Sequence, residues 1–174
     1  MSAVIESHHD DHHHGPAKGF SRWLYTTNHK DIGSLYLWFS FIMLFVGGAM
    51  AMVIRAELFE PGSQIVSPEF YNQMVTNHGL IMVFGVIMPA FVGLANWMIP
   101  MQIGAPDMAL PRLNNLSFWI LPAAFGVLLS TFLMEGGAPN FGWTFYAPLS
   151  TEYAPPTVTF FIFSVHIMGA SSIM

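Results

Sequence analysis

The chain contains no cysteine, which excludes disulfides and cysteine-ligated metals. Charge is the second scarcity: Asp, Glu, Lys and Arg make up 9% of the residues, against ~25% in ordinary soluble domains. Only five residues are basic, too few for the cationic face that nucleic-acid binding needs. Residues 1–30 lack the apolar core of a secretory signal and carry histidine and aspartate instead. Apolar residues, by contrast, form 53% of the 174-residue chain.

The few charges are segregated. None lies between Asp31 and Arg55, and only His78 interrupts the run from Glu69 to Asp107. A third gap runs from Arg112 to Glu135, and only His166 interrupts the stretch after Glu152. Each gap holds the ~20 apolar residues that a membrane-spanning helix requires. The pattern predicts an all-α, polytopic transmembrane bundle with helices near 32–54, 78–101, 115–134 and 156–174. The segment 135–155 is rich in Gly, Pro and aromatics and reads as an ordered loop. Two regions result: a histidine-rich tail over 1–30 and the helical region 31–174. The fourth helix is still apolar at Met174, which reads as the front part of a longer chain.

Lys18, Arg22 and Lys30 precede the first helix and Arg112 follows the second. The other side holds Arg55 beside Glu57, Glu60, Glu69, Glu135 and Glu152. By the positive-inside rule the N-terminus is cytoplasmic and the loops 55–77 and 135–155 face outward, as in a bacterial inner membrane. Trp23, Trp97, Trp119 and Trp143 fall near predicted helix ends, where aromatic belts lie. The tail segment H-H-D-D-H-H-H-G-P reads as a solvated low-complexity stretch or a metal-capturing one.

Ionisable side chains at membrane depth are costly and mark function. His78 opens an apolar run and Asp107 follows its far end. His78 is either a haem-iron ligand or an interfacial histidine bonded to a carbonyl. By spacing, His166 is the other intramembrane histidine that can partner it. Asp107, in the turn G-A-P-D-M-A-L-P-R, is either a turn carboxylate paired with Arg112 or a proton collector. Asn96, Asn114 and Tyr36 can hold water along a path from it, which Ser171 and Ser172 extend. Arg55 and Glu57 are interface anchors, or Arg55 donates its rigid fork to a buried acceptor. Pro89 predicts a kink whose freed carbonyl needs a partner inside the protein.

Seven ordered blocks carry a family resemblance. T-N-H-K-D-I-G at 27–33, I-R-A-E-L at 54–58, the His78 segment and I-G-A-P-D-M-A at 103–109 resemble subunit I of haem–copper cytochrome c oxidases. So do P-R-L-N-N-L-S-F-W at 111–119, G-W-T-F-Y-A-P-L-S at 142–150 and H-I-M-G-A-S-S-I at 166–173. The details resemble a proteobacterial enzyme most. The resemblance implies the first four helices of a twelve-helix-type subunit that oxidises cytochrome c, reduces dioxygen to water and pumps protons. It implies His78 as axial ligand of a low-spin haem, Arg55 at that haem's formyl group, and Tyr71 and Trp143 near the propionates. Asp107 matches a proton-channel entrance, with Tyr36, Asn96, Asn114, Ser171 and Ser172 along the walls. Glu57, with backbone near Glu60 and Gly62, matches a peripheral cation site of the calcium type. His166 matches a histidine that is not a ligand. The second haem's ligand and the copper ligands fall beyond residue 174, so this stretch alone is not expected to be active. A copper-bearing subunit II and other oxidase subunits are the implied partners.

Pro106 and Phe70 stand where quinol oxidases of this superfamily tend to carry Arg and His, which favours cytochrome c as donor. The alternatives are a quinol-oxidising relative and, in a different class, a proton-coupled transporter. A cytochrome b would carry two histidines about four turns apart on one helix, a pattern absent here. A purely structural subunit would not place ionisable residues in this way.

Overall fold

A computed structural model describes residues 19–174, and the histidine-rich segment lies outside them. A short helix α1 (Phe20–Leu24) leads into α2 (His29–Glu57). A continuous helical rod then runs from Pro68 to Ile103. It consists of α3 (Pro68–Leu80), a π-helical stretch (Ile81–Ile87) and α4 (Met88–Ile103). Next come α5 (Pro111–Ser130), which tightens into a 3₁₀ turn at Thr131–Leu133, and α6 (Val158–Ile173). Among the described residues there is no strand. Three helical spans are long and apolar enough to cross a membrane, and α6 is a shorter apolar helix. This is a transmembrane helix bundle.

The observed helices start earlier than the charge-free runs. Asn28 caps α2 by accepting from the Lys30 N–H, with Asp31 in the first turn complementing the helix dipole. Ser67 caps α3 by accepting from the Phe70 N–H, and Pro68 pre-sets the first turn. The second span therefore begins ten residues before His78, and much of the expected 55–77 loop is helix. Gly104, with φ of 71°, ends α4 in the left-handed conformation. The stretch between the 3₁₀ turn and α6 contains no helix, as its composition predicts. Trp119 is not at a helix end: α5 starts at Pro111, and the indole packs edge-on against Phe118.

Pro89 does disturb the second span. It has no N–H and would crowd the carbonyl one turn back in α-geometry. The preceding seven residues widen into a π-helix, and the Ser40 hydroxyl donates to the Val86 carbonyl at 2.8 Å. That bond from α2 reaches the carbonyl next to the one Pro89 leaves without its usual donor, which is that of Gly85 four residues back.

α2 and the rod pack closely where two glycines face each other. A Cβ added to Gly33 would stand 2.8 Å from the Gly93 carbonyl oxygen, and one on Gly93 would stand 2.9 Å from that of Gly33. Only glycine lets the backbones approach so nearly. The core between the helices is built from Ile32, Tyr36, Met43, Ile81, Phe118, Phe125, Leu128 and Phe161. Serines tie α5 to α6: Ser164 Oγ donates to the Ala124 carbonyl, and Ser117 and Ser171 each donate to the other's carbonyl. On the α1 side, Arg22 grips Asp31 and Asn115 donates to the Thr26 carbonyl, holding the start of α2 against α5.

Candidate functional site

Two cavities hold seven of the residues that the sequence singles out. The first, about 520 Å³, is lined by Ala51, Ile54, Arg55, Leu58, Phe59 and His78. His78 lies on α3, half-buried, and its Nδ1 donates to the Gly47 carbonyl on α2 at 2.9 Å. A carbonyl can only accept, so Nδ1 carries a proton, and in the neutral ring Nε2 is the nitrogen that has the lone pair. Gly47 has no room for a side chain: a Cβ there would stand 2.8 Å from Met82 Sδ. The same small residue thus brings the helices together and supplies the acceptor. Arg55 shares the cavity with His78 and has no ion-pair partner among the described residues.

These features fit a haem. A neutral imidazole with a fixed tautomer and a free Nε2 is an axial iron ligand. An unpaired guanidinium in the same apolar cavity offers donors to an oxygen on the ring edge. His166 is not brought to the site: it is exposed on α6, and its Nδ1 donates to the Ile162 carbonyl one turn back. Trp143 does not line the cavity but packs over Gly79, next to His78. Tyr71 lies two turns before His78 on α3, also outside the lining. The loop carrying Trp143 is pinned to α3, where Thr76 Oγ1 accepts from the Gly142 N–H and Asn77 donates to the Pro139 carbonyl. Glu57, the last residue of α2, is buried. Its Oε1 accepts from the Gln64 N–H, and its Oε2 from the Ile65 and Val66 N–H groups. These donors occupy three of the roughly four acceptor positions of the carboxylate.

The second cavity, about 580 Å³, lies between α2, the rod, α5 and α6. Tyr36, Asn96, Asn114, Ser171 and Ser172 all line it, among apolar neighbours such as Phe84, Met88 and Met168. The structure thus gathers every wall residue that the sequence proposed. Asn114 donates to the Asn96 side-chain oxygen at 2.8 Å. Tyr36 bonds Ser117 at 2.8 Å, and Ser117 donates to the Ser171 carbonyl at 2.6 Å. With that serine proton engaged, the Tyr36 hydroxyl is the donor of the pair.

Asp107 stands apart from this lining, although its neighbour Met108 belongs to it. The expected pairing with Arg112 does not form. Asp107 Oδ1 accepts from the Met108 N–H at 2.7 Å, and Arg112 is exposed at the start of α5. A short turn closes on its own backbone more cheaply than it orders a long arginine. Two residues escaped the sequence reading. Ser117 follows Asn114 by three positions, and His29 precedes Tyr36 by seven, so both share a helical face with a chosen residue. His29 is buried, and its Nδ1 donates to the Asn96 backbone carbonyl at 2.9 Å. Among the described residues no group of three or more His, Asp or Glu is placed to hold a metal ion.

The family comparison decides the class. Residues 31–174 match the model for cytochrome c and quinol oxidase polypeptide I. The chain belongs to that family. It is 46% identical over 163 residues to cytochrome c oxidase subunit 1 of Corynebacterium diphtheriae, covering 91% of this chain and 29% of that protein. To the same-named protein of Corynebacterium glutamicum it is 48% identical over 141 residues, covering 80% of this chain and 24% of the relative. The chain thus spans less than a third of the relatives it matches. Both come from Corynebacterium, whereas the sequence details resemble a proteobacterial enzyme.

Proposed function

We propose that this stretch forms part of the catalytic subunit of a terminal respiratory oxidase in a bacterial inner membrane, N-terminus inside. The whole protein takes electrons from cytochrome c, reduces dioxygen to water and pumps protons. The observation that carries the reading is His78: Nδ1 is bonded to the Gly47 carbonyl, and Nε2 is left for iron beside Arg55. A haem supplies reversible one-electron chemistry when bound. His78 would hold the iron through its imidazole, which the Gly47 carbonyl keeps in one orientation. Arg55 would offer its donors to an oxygen on the ring edge and so draw electron density from it. Trp143 and Tyr71 serve the propionate side. A second haem and copper belong to residues outside this stretch, and the copper-bearing subunit II belongs to the same complex.

On the proton side, Asp107 collects protons from the inner aqueous phase. Asn96 and Asn114 hold water without adding charge, and Tyr36, Ser117, Ser171 and Ser172 continue the polar row. A defined path is required because each charge moved works against about 2.3 kcal/mol per 100 mV.

The test is a reduced-minus-oxidised optical spectrum of the full-length protein and its His78→Ala variant. Low-spin and carbon-monoxide-sensitive high-spin haem signals are expected, with the low-spin signal lost in the variant. A haem-free spectrum would overturn the reading in favour of a proton-coupled transporter. Phe70 and Pro106 favour cytochrome c over quinol, and turnover with quinol alone would reverse that assignment.

A further inference from the structure

Three side chains of α3, Gln73, Thr76 and Asn77, meet the loop between the 3₁₀ turn and α6. Their spacing of three and four makes them neighbours on one face of the helix. A Cβ on Gly137, whose φ is 71°, would collide with the Gln73 side chain. Thr76 Oγ1 accepts from the Gly142 N–H at 3.0 Å, and Asn77 Nδ2 donates to the Pro139 carbonyl at 3.2 Å. The same Nδ2 donates to the Gln73 carbonyl at 2.8 Å. Both acceptors are carbonyls, so the amide nitrogen must face them and the amide has one orientation. Asn77 is 0% exposed, and its Oδ1 has no hydrogen-bond partner among the described residues. A buried acceptor left unpaired is costly, and an apolar side chain of similar shape would avoid that cost. Only its two donors set this asparagine above such a side chain.

The loop held in this way carries Trp143 directly after Gly142. The indole lies over Gly79, where an added Cβ would stand 3.6 Å from the ring. Asn77, His78 and Gly79 are consecutive, so one turn of α3 holds the loop, the imidazole and the seat of the tryptophan. The imidazole itself bonds elsewhere, to Gly47 on α2. The other side of the loop is held by α6: Phe141 packs edge-on against Phe161, and Thr157 Oγ1 donates to the Gly137 carbonyl at 2.6 Å. Hydrogen bonds from the loop to α3 side chains run through Thr76 and Asn77.

We infer that Asn77 is a positioning residue: by its bond to the Pro139 carbonyl it fixes the outer loop on α3 and so seats Trp143 beside the group that His78 holds. The inference rests on the haem reading above. Thr76 is the second point of the same clamp. Asn77 touches neither the cavity of His78 nor Trp143 itself, and it acts through the loop backbone between them.

The experiment uses the full-length protein with Asn77→Leu, which keeps the approximate shape and removes the donors, alone and combined with Trp143→Phe. Two quantities are read: hydrogen exchange of the amides at 140–144, and the midpoint potential of the low-spin haem. The expected result for Asn77→Leu is exchange about tenfold faster, with haem still bound and its potential shifted. In the Trp143→Phe background the same substitution should still speed exchange but no longer move the potential, because the residue it acts through is gone. Unchanged exchange in Asn77→Leu would overturn the clamp. Faster exchange with an unchanged potential would overturn the link to the haem. A potential shift that persists undiminished without Trp143 would show Asn77 acting directly on its neighbour His78, and the inference fails. If the parent protein holds no haem, the oxidase reading fails, while the exchange measurement still reports on the clamp. Should Asn77→Leu fail to fold, Asn77→Ala carries the same measurements.

Discussion

At the scale of single residues, several buried polar groups are bonded in pairs, and removing one partner has a measurable cost. His29 is buried and donates to the Asn96 backbone carbonyl. His29→Leu strands that carbonyl, and an unsatisfied buried acceptor costs about 1–3 kcal/mol. The expected outcome is a lower unfolding midpoint in detergent, with haem content retained in protein that remains folded. Asn96 shows why some of the site was legible in the sequence and some was not. Its side chain was readable as a water holder from its place in an apolar run. Its backbone role as the acceptor of His29 was not, because the partner lies 67 positions away. Ser117 was missed for a related reason: a serine in an apolar helix is commonplace, and only the approach of Tyr36 and Ser171 gives this one a role. Asp107 was readable as a turn carboxylate, but its supposed bond to Arg112 depended on side-chain reach that sequence spacing does not fix.

At the scale of elements, the charge-free runs located the spans because hydrocarbon tolerates little else, and the helix caps then extended them. Asn28 and the Ser67–Pro68–Glu69 start signal lie in polar sequence, where a reading based on apolar length stops too early. The π-helix before Pro89 was legible only as an expected kink. The helix–helix approach at Gly33 and Gly93 makes a sharper prediction. Gly93→Ala places a methyl group about 2.9 Å from a backbone carbonyl that cannot move aside alone. It should destabilise the bundle by about 1–3 kcal/mol, as overpacking does. Gly48→Ala, which meets nothing within 4 Å, is the matched control and should have little effect. Chemical unfolding of both variants in the same detergent distinguishes them.

At the scale of the whole molecule, the rod from Pro68 to Ile103 carries His78 near one end, and Asp107 follows a few residues beyond the other. Twenty-six residues of helix from His78 to Ile103 rise roughly 37 Å, enough to cross a hydrocarbon core of about 30 Å. On the proposed reading the electron and proton sites would sit toward opposite faces of the membrane, one on the rod and the other just beyond its end. Asp107→Asn is expected to slow proton uptake from the inner side and weaken pumping while leaving reduction of the His78 haem fast. Stopped-flow spectra together with proton release from vesicles check this, and unchanged stoichiometry would return Asp107 to a structural role.

The hydroxyls of Tyr36, Ser117 and Ser171 carry one more consequence. Tyr36 donates to Ser117, and both serines donate to carbonyls across the α5–α6 contact. Carbonyl oxygens end a chain of donors, so the resting row has no vacant direction in which a proton can hop. On the proposed proton reading, transport along it would require each hydroxyl to turn first, giving up about 0.5–1.5 kcal/mol of net hydrogen bonding as it does so. The two serine carbonyls would then hold the row in its resting orientation until a hydroxyl turns.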